Sequence, residues 1–168
     1  GLKVLWCERQ MTNSVNRFAF EPSSSRFHRL KHLVGRPISD EFNIDDIHWA
    51  TPRIGITDYE GCSEAVTKGY IVINVAGELN SSAQIQADIN PEKGACRSDL
   101  DHLAALINKM LTESDDAKIV VHCAMGMERS PLTVVWYLHK YQNKTLDQAY
   151  QIVESAREST VDRRSWID

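Results

Sequence analysis

The run KIVV, Lys118–Val121, is apolar and β-branched, and SPLTVVWYLHKY, Ser130–Tyr141, follows it with apolar residues at helical spacing. Only the short stretch HCAMGMER separates the two, so a buried strand must turn into a helix through a tight loop. The same alternation recurs on both sides. YIVINVAG (Tyr70–Gly77) reads as a buried strand, and GCSEAVTKG (Gly61–Gly69) as a short helix stopped by Gly69. SDLDHLAALINKML predicts a helix with Ser98 as N-cap, and TLDQAYQIVESAR one with Thr145 and Gln148 as a capping box. WATPRIGIT (Trp49–Thr57) reads as one strand with Pro52 near its start, and SAQIQADINPEKGACR as a short strand dissolving into a loop. Strand, helix, strand, helix, strand, helix predicts an α/β fold with a mostly parallel central sheet flanked by helices.

The N-terminal part is less regular. LKVLW (Leu2–Trp6) reads as a short strand, FEPSSSRF (Phe20–Phe27) as a loop, and FHRLKHLVG (Phe27–Gly35) as a helix. Residues 1–47 are too short to bury a core of their own, so we expect an N-terminal extension packed on a catalytic domain of residues 48–168. At 168 residues the chain is long enough to fold without disulfide or metal staples. Cys7, Cys62, Cys96 and Cys123 lack zinc-ligand spacing and read as thiols of a reducing, cytoplasmic setting. The formal net charge of −4 gives no reason to expect nucleic acid or an anionic membrane as partner. No apolar run reaches membrane-spanning length.

The loop carries the chemistry. It lies at the carboxyl end of a strand, where open α/β sheets bind ligands, and at a helix N-terminus, where free N–H groups attract anions. Gly126 lets the backbone turn so that successive N–H groups point inward. Cys123 opens the loop, where a thiolate is favoured, and Arg129 closes it with a planar fork matched to two phosphate oxygens. Ser130 supplies a hydroxyl for the thiolate. Ala124, Met125, Gly126, Met127 and Glu128 complete the loop. His122 points away from Cys123 if the strand runs through both, and is expected to orient the loop backbone. A nucleophile, a dianion clamp and a ring of donors together suit displacement at phosphorus through a phosphocysteine intermediate, with no metal or cofactor.

His122–Ser130, H-C-A-M-G-M-E-R-S, resembles the H-C-x5-R-[ST] signature of cysteine-dependent protein tyrosine phosphatases, and the flanks are most similar to the dual-specificity branch. KIVVHC, RSPLTVVWYL, TLDQAYQIVESAR and, upstream, TPRIGIT and AVTKGYIVINVAGE carry the likeness over about residues 49–160. The resemblance implies a hydrolase acting on phosphoproteins or small phosphomonoesters, with inorganic phosphate or a similar oxyanion in the loop. It also implies an Asp from the loop before the long helix as general acid; Asp88 matches best, with Glu92 in reserve. The loop interior holds no Lys or Arg, which favours phosphotyrosine, phosphoserine or phosphothreonine over more highly charged substrates. Two other readings stay open: a phosphate-binding module with little turnover, and a rhodanese-like or cell-cycle-phosphatase-like C-x5-R domain, toward which Glu128 points. Cys62 and Cys96 read as plain thiols, and Arg163 and Arg164 as solvated.

Overall fold

The structure, a computed structural model, describes residues 22–168. The strand expected at Leu2–Trp6, and Cys7, lie outside the described residues. Among the described residues five strands form one sheet: β1 (His48–Thr51), β2 (Ile54–Thr57), β3 (Ile71–Asn74), β4 (Ile85–Gln86) and β5 (Ile119–His122), in the order β1-β2-β5-β3-β4. Among the described residues only the β1–β2 pair is antiparallel. The helices are α1 (Ser23–Leu30), α2 (Cys62–Thr67), α3 (Arg97–Glu113), α4 (Arg129–Tyr141) and α5 (Leu146–Ala156). This is the α/β architecture that the alternation of apolar runs predicts.

Strand β5 is central and buried along its whole length. Its residues alternate between faces, as the strand period requires. Ile119 and Val121 join Leu100, Leu103, Ile107, Leu132, Val135 and Val153 in the main core. Val120 packs on the other face with Cys62, Ala65 and Val72. Helix α4 lies in the middle of the helical layer, with Ser130–Leu138 buried, which is why its sequence is apolar nearly all round.

Three local readings need correction. Trp49–Thr57 is a hairpin rather than one strand. Pro52 cannot donate to a ladder, and the Thr51 hydroxyl accepts from the N–H groups of Arg53 and Ile54, closing the turn. The serines of FEPSSSRF begin helix α1 directly after Pro22, and the helix ends at Leu30 in a 3₁₀ turn, Lys31–Leu33. Helix α3 starts at Arg97, without a Ser98 cap. The carbonyls of Trp166 and Ile167 accept from Cys96 N and Arg97 N, so the chain near its C-terminus satisfies donors that a cap would otherwise take. Asp101 instead accepts from the Trp136 indole at 2.7 Å. The capping box of α5 forms as read, Thr145 with Gln148.

Residues 34–48 lie against the end of the sheet where the loop sits. Val34 and Ile44 pack with Met125, Met127 and Val161, and Arg36 donates to the Glu158 and Thr160 carbonyls at 2.8 Å. Beneath them lie two buried carboxyl oxygens, Asp45 Oδ1 and Asp58 Oδ2, that accept no hydrogen bond. Burial, and the Asp45 carboxyl beside it, push Asp58 up to about 7. The unfolded chain gives up this proton at lower pH. The stability tied to it is therefore complete below about pH 4 and is lost as pH rises to about 7. His48 and His122, both held down to about 4 chiefly by burial, act in the opposite sense over their own window. Asp58→Asn should therefore gain on the parent as pH rises from 4 to 7. Urea unfolding of both proteins across that range checks this; a constant difference would mean that Asp58 titrates normally.

Candidate active site

Cys123 leaves β5 at the base of the loop and is buried. Its sulfur lies 3.3 Å from the Ser130 hydroxyl, on the first turn of α4. Gly126 has φ 64°, and a Cβ there would come within 2.5 Å of the Thr57 carbonyl. Glycine is required by both backbone angle and space. Glu128 precedes α4 without a capping hydrogen bond from its side chain.

For the loop's N–H groups to face inward, its carbonyls must face the protein, where each needs a donor. All are satisfied. His122 Nδ1 bonds the Cys123 carbonyl at 2.9 Å, and Tyr59 N donates to that of Ala124 at 3.0 Å. Arg157 donates to the carbonyls of Met125 and Gly126, at 3.0 and 2.7 Å. Val161 N serves Met127 at 2.7 Å, and Leu132 N serves Glu128 at 3.1 Å. His122 is buried and held neutral at ordinary pH, its pKa lowered to about 4 by desolvation. Since Nδ1 faces a carbonyl, it carries the proton. Nε2 then accepts from the Ser81 hydroxyl at 2.9 Å.

Arg129 pairs with Glu78, Nη1 to Oε2 at 2.8 Å and Nη2 to Oε1 at 2.7 Å. Glu78 thus grips one edge of the guanidinium. The Nε edge makes no protein hydrogen bond among the described residues and remains for an oxyanion. Burial opposes the charge, but the hydrogen bond that Arg129 donates to Glu78 and the charges of Cys123, Glu78 and Glu128 raise the Arg129 pKa overall. The guanidinium therefore stays charged.

Asp88 lies two residues beyond β4, partly exposed. Its Oδ1 accepts from Gly77 N at 3.1 Å, and Oδ2 meets Lys93 Nζ at 3.3 Å. A Cβ on Gly77 would come within 2.6 Å of the Asp88 carboxyl carbon. Asp88 is thereby tied to the residue next to Glu78, so the acid candidate and the grip on Arg129 share one piece of backbone. Glu92 sits in the 3₁₀ turn Pro91–Lys93, its N–H bonded to the Asn90 side chain.

Sequence reasoning did not find Glu78, Ser81 or Arg157. They lie outside the signature, and each acts through a contact distant in sequence. A lone Arg after an amphipathic helix was the one available hint of Arg157. Arg163 and Arg164 are partly exposed, in keeping with the solvated reading, and are also ion-paired. Arg163 pairs with Glu128 at 2.6 Å and lies over the Trp166 ring, while Arg164 pairs with Asp147 and Asp162. Cys62, Cys96 and Cys123 are free thiols, and burial raises that of Cys96. Among the described residues no cluster of His, Cys, Asp or Glu is arranged to hold a metal ion. No helix there is long and apolar enough to cross a membrane.

The site is that of a cysteine-based phosphatase fold. The family model of the dual specificity phosphatase catalytic domain matches residues 59–168, and the chain belongs to that family of protein phosphatases. A curated relative, protein-tyrosine-phosphatase IBR5 of Arabidopsis thaliana, is 44% identical over 48 residues, 29% of this chain. That match spans only 19% of the relative's length. Human DUSP28 has a similar solved structure, with TM-score 0.61 and 16% identity over 71% of this chain and 86% of that one. The human tyrosine phosphatase-like serine/threonine/tyrosine-interacting protein is similar too, with TM-score 0.61 and 15% identity over 72% and 90% of the two chains.

Proposed function

We propose that the protein hydrolyses phosphomonoesters on phosphotyrosine, phosphoserine or phosphothreonine of protein substrates, through a phosphocysteine intermediate. The observation that carries this reading is the loop itself: every carbonyl from Cys123 to Glu128 is bonded outward, leaving the N–H side to an anion between Cys123 and Arg129. Cys123 Sγ attacks phosphorus, and the ester oxygen leaves with a proton from Asp88. Arg129 and the loop N–H groups hold the remaining oxygens as charge builds on them. A water then attacks the phosphocysteine, gives its proton to Asp88 and releases inorganic phosphate. The Ser130 hydroxyl, beside the sulfur, stabilises the departing thiolate. His122 and Ser81 fix the Cys123 carbonyl and so the direction of the nucleophile. Residues 22–47 serve as an extension packed behind the loop.

Acid quench of the enzyme turning over an aryl phosphate, followed by peptide mass spectrometry, tests the intermediate. Phosphate should appear on the Cys123 peptide; its absence under rapid quench would count against the covalent path. Asp88→Asn should lower kcat for an alkyl phosphate by about 100-fold and spare a substrate with a good leaving group, since only the former needs the proton. Equal losses on both would remove Asp88 as the acid and bring Glu92 forward.

A further inference from the structure

Arg157 lies just beyond α5, fully buried, against the carbonyl side of the loop. A guanidinium has five N–H donors, and here each has an acceptor. Nε reaches the Gly126 carbonyl at 2.7 Å. Nη2 reaches those of Met125 at 3.0 Å and Ile44 at 2.8 Å. Nη1 reaches the Asp46 carbonyl at 3.2 Å and His48 Nδ1 at 2.6 Å. Two acceptors belong to the middle of the phosphate loop and three to the segment entering β1. Gly126 is pressed between this side chain and the Thr57 carbonyl: a Cβ would lie 2.6 Å from Nη2. Burial lowers the Arg157 pKa only to about 10, so the group remains cationic at neutral pH. His48, lowered to about 4 mainly by desolvation, is neutral and able to accept.

We infer that Arg157 is a positioning residue for catalysis: it holds the Met125 and Gly126 carbonyls outward and thereby aims the neighbouring loop N–H groups at the phosphate. The inference rests on the phosphatase reading above. The peptide planes of the loop can turn either way, and a plane that flips presents a carbonyl oxygen to the dianion in place of a donor. The other carbonyls are fixed by single N–H groups or by His122. The pair at the sharpest part of the turn depends on one side chain. No other residue type offers five donors in one plane, so Lys can keep the charge but cannot span these acceptors. Anchorage to Ile44, Asp46 and His48 makes the segment leading into β1, and the first residue of that strand, part of the same frame.

The test compares the parent protein with Arg157→Lys and Arg157→Met. Its readouts are inhibition by inorganic phosphate, steady-state hydrolysis of an aryl phosphate, and the amide resonances of Ala124–Glu128 with and without phosphate. In Arg157→Lys the inhibition constant for phosphate should rise by about tenfold. In Arg157→Met kcat/KM should fall by about 100-fold, as expected for misplacement of order 1 Å. Phosphate should then no longer shift the loop amides as it does in the parent. Lys should recover part of the Met loss. Parent-like phosphate inhibition in either folded variant overturns the inference. If neither variant folds, the unaltered protein decides. The Arg157 Nε–H should exchange slowly with solvent, and more slowly with phosphate bound; exchange indifferent to phosphate overturns the coupling. A parent that neither binds phosphate nor hydrolyses the ester removes the proposed function and this role together. An active parent with indifferent variants removes only the role of Arg157.

Discussion

Cys123→Ser should lower turnover of an aryl phosphate in EDTA by a factor on the order of 10⁴ or more, while inorganic phosphate still binds. The substitution nearly preserves size, and the loop frame does not depend on the sulfur: its carbonyls are held by His122, Tyr59, Arg157, Val161 and Leu132. What changes is the nucleophile. A serine hydroxyl stays protonated at neutral pH, and among the described residues no general base is hydrogen-bonded at this position; the neighbour at 3.3 Å is another hydroxyl. Turnover and phosphate binding measured on the same preparation separate chemistry from recognition. Hydrolysis surviving within tenfold would sink the covalent mechanism. Phosphate binding with no turnover in the parent itself would instead favour the binding-module reading.

Arg129→Lys should cost about 10³-fold in kcat/KM, although the formal charge is unchanged. Glu78 now takes the end of the fork, at 2.7 and 2.8 Å, and leaves the Nε edge for the phosphoryl oxygens. A lysine has one nitrogen for both tasks. Its ammonium would be drawn to Glu78, and the equatorial oxygens would lose a planar, two-point contact just as their charge grows. A loss of less than tenfold, in a variant that unfolds cooperatively, would show that charge suffices and the fork geometry is idle. Removing the side chain altogether would be less informative, because it also leaves Glu78 without its partner.

Much of the fold could be read from local pattern because its chemistry is local. Ile119–His122 is apolar and central; Thr145 and Gln148 cap their own helix; Gly126 marks a turn that other residues cannot make. The misread places depend on partners far away in the chain. Ser98 looks like a cap, yet the carbonyls of Trp166 and Ile167 make capping unnecessary. Pro52 looks like a strand residue near a start, yet the Thr51 hydroxyl turns the chain back. The candidate site divides in the same way. Cys123, Arg129 and Ser130 sit within eight residues, and their spacing carries the idea of a phosphate. Glu78, Ser81 and Arg157 converge on that loop from 31 to 51 residues away, so only the assembled sheet brings them together.

The contacts of Trp166 and Ile167 with the start of α3 also order events in time. Synthesis delivers the sheet strands and α3 well before Val161–Ile167, yet Met127, Cys96 and Arg97 bond to that later stretch. On the ribosome, the nascent domain must therefore wait with an unfinished loop until those residues clear the exit tunnel. The phosphate loop is fully framed only after Arg157 and Val161 have emerged.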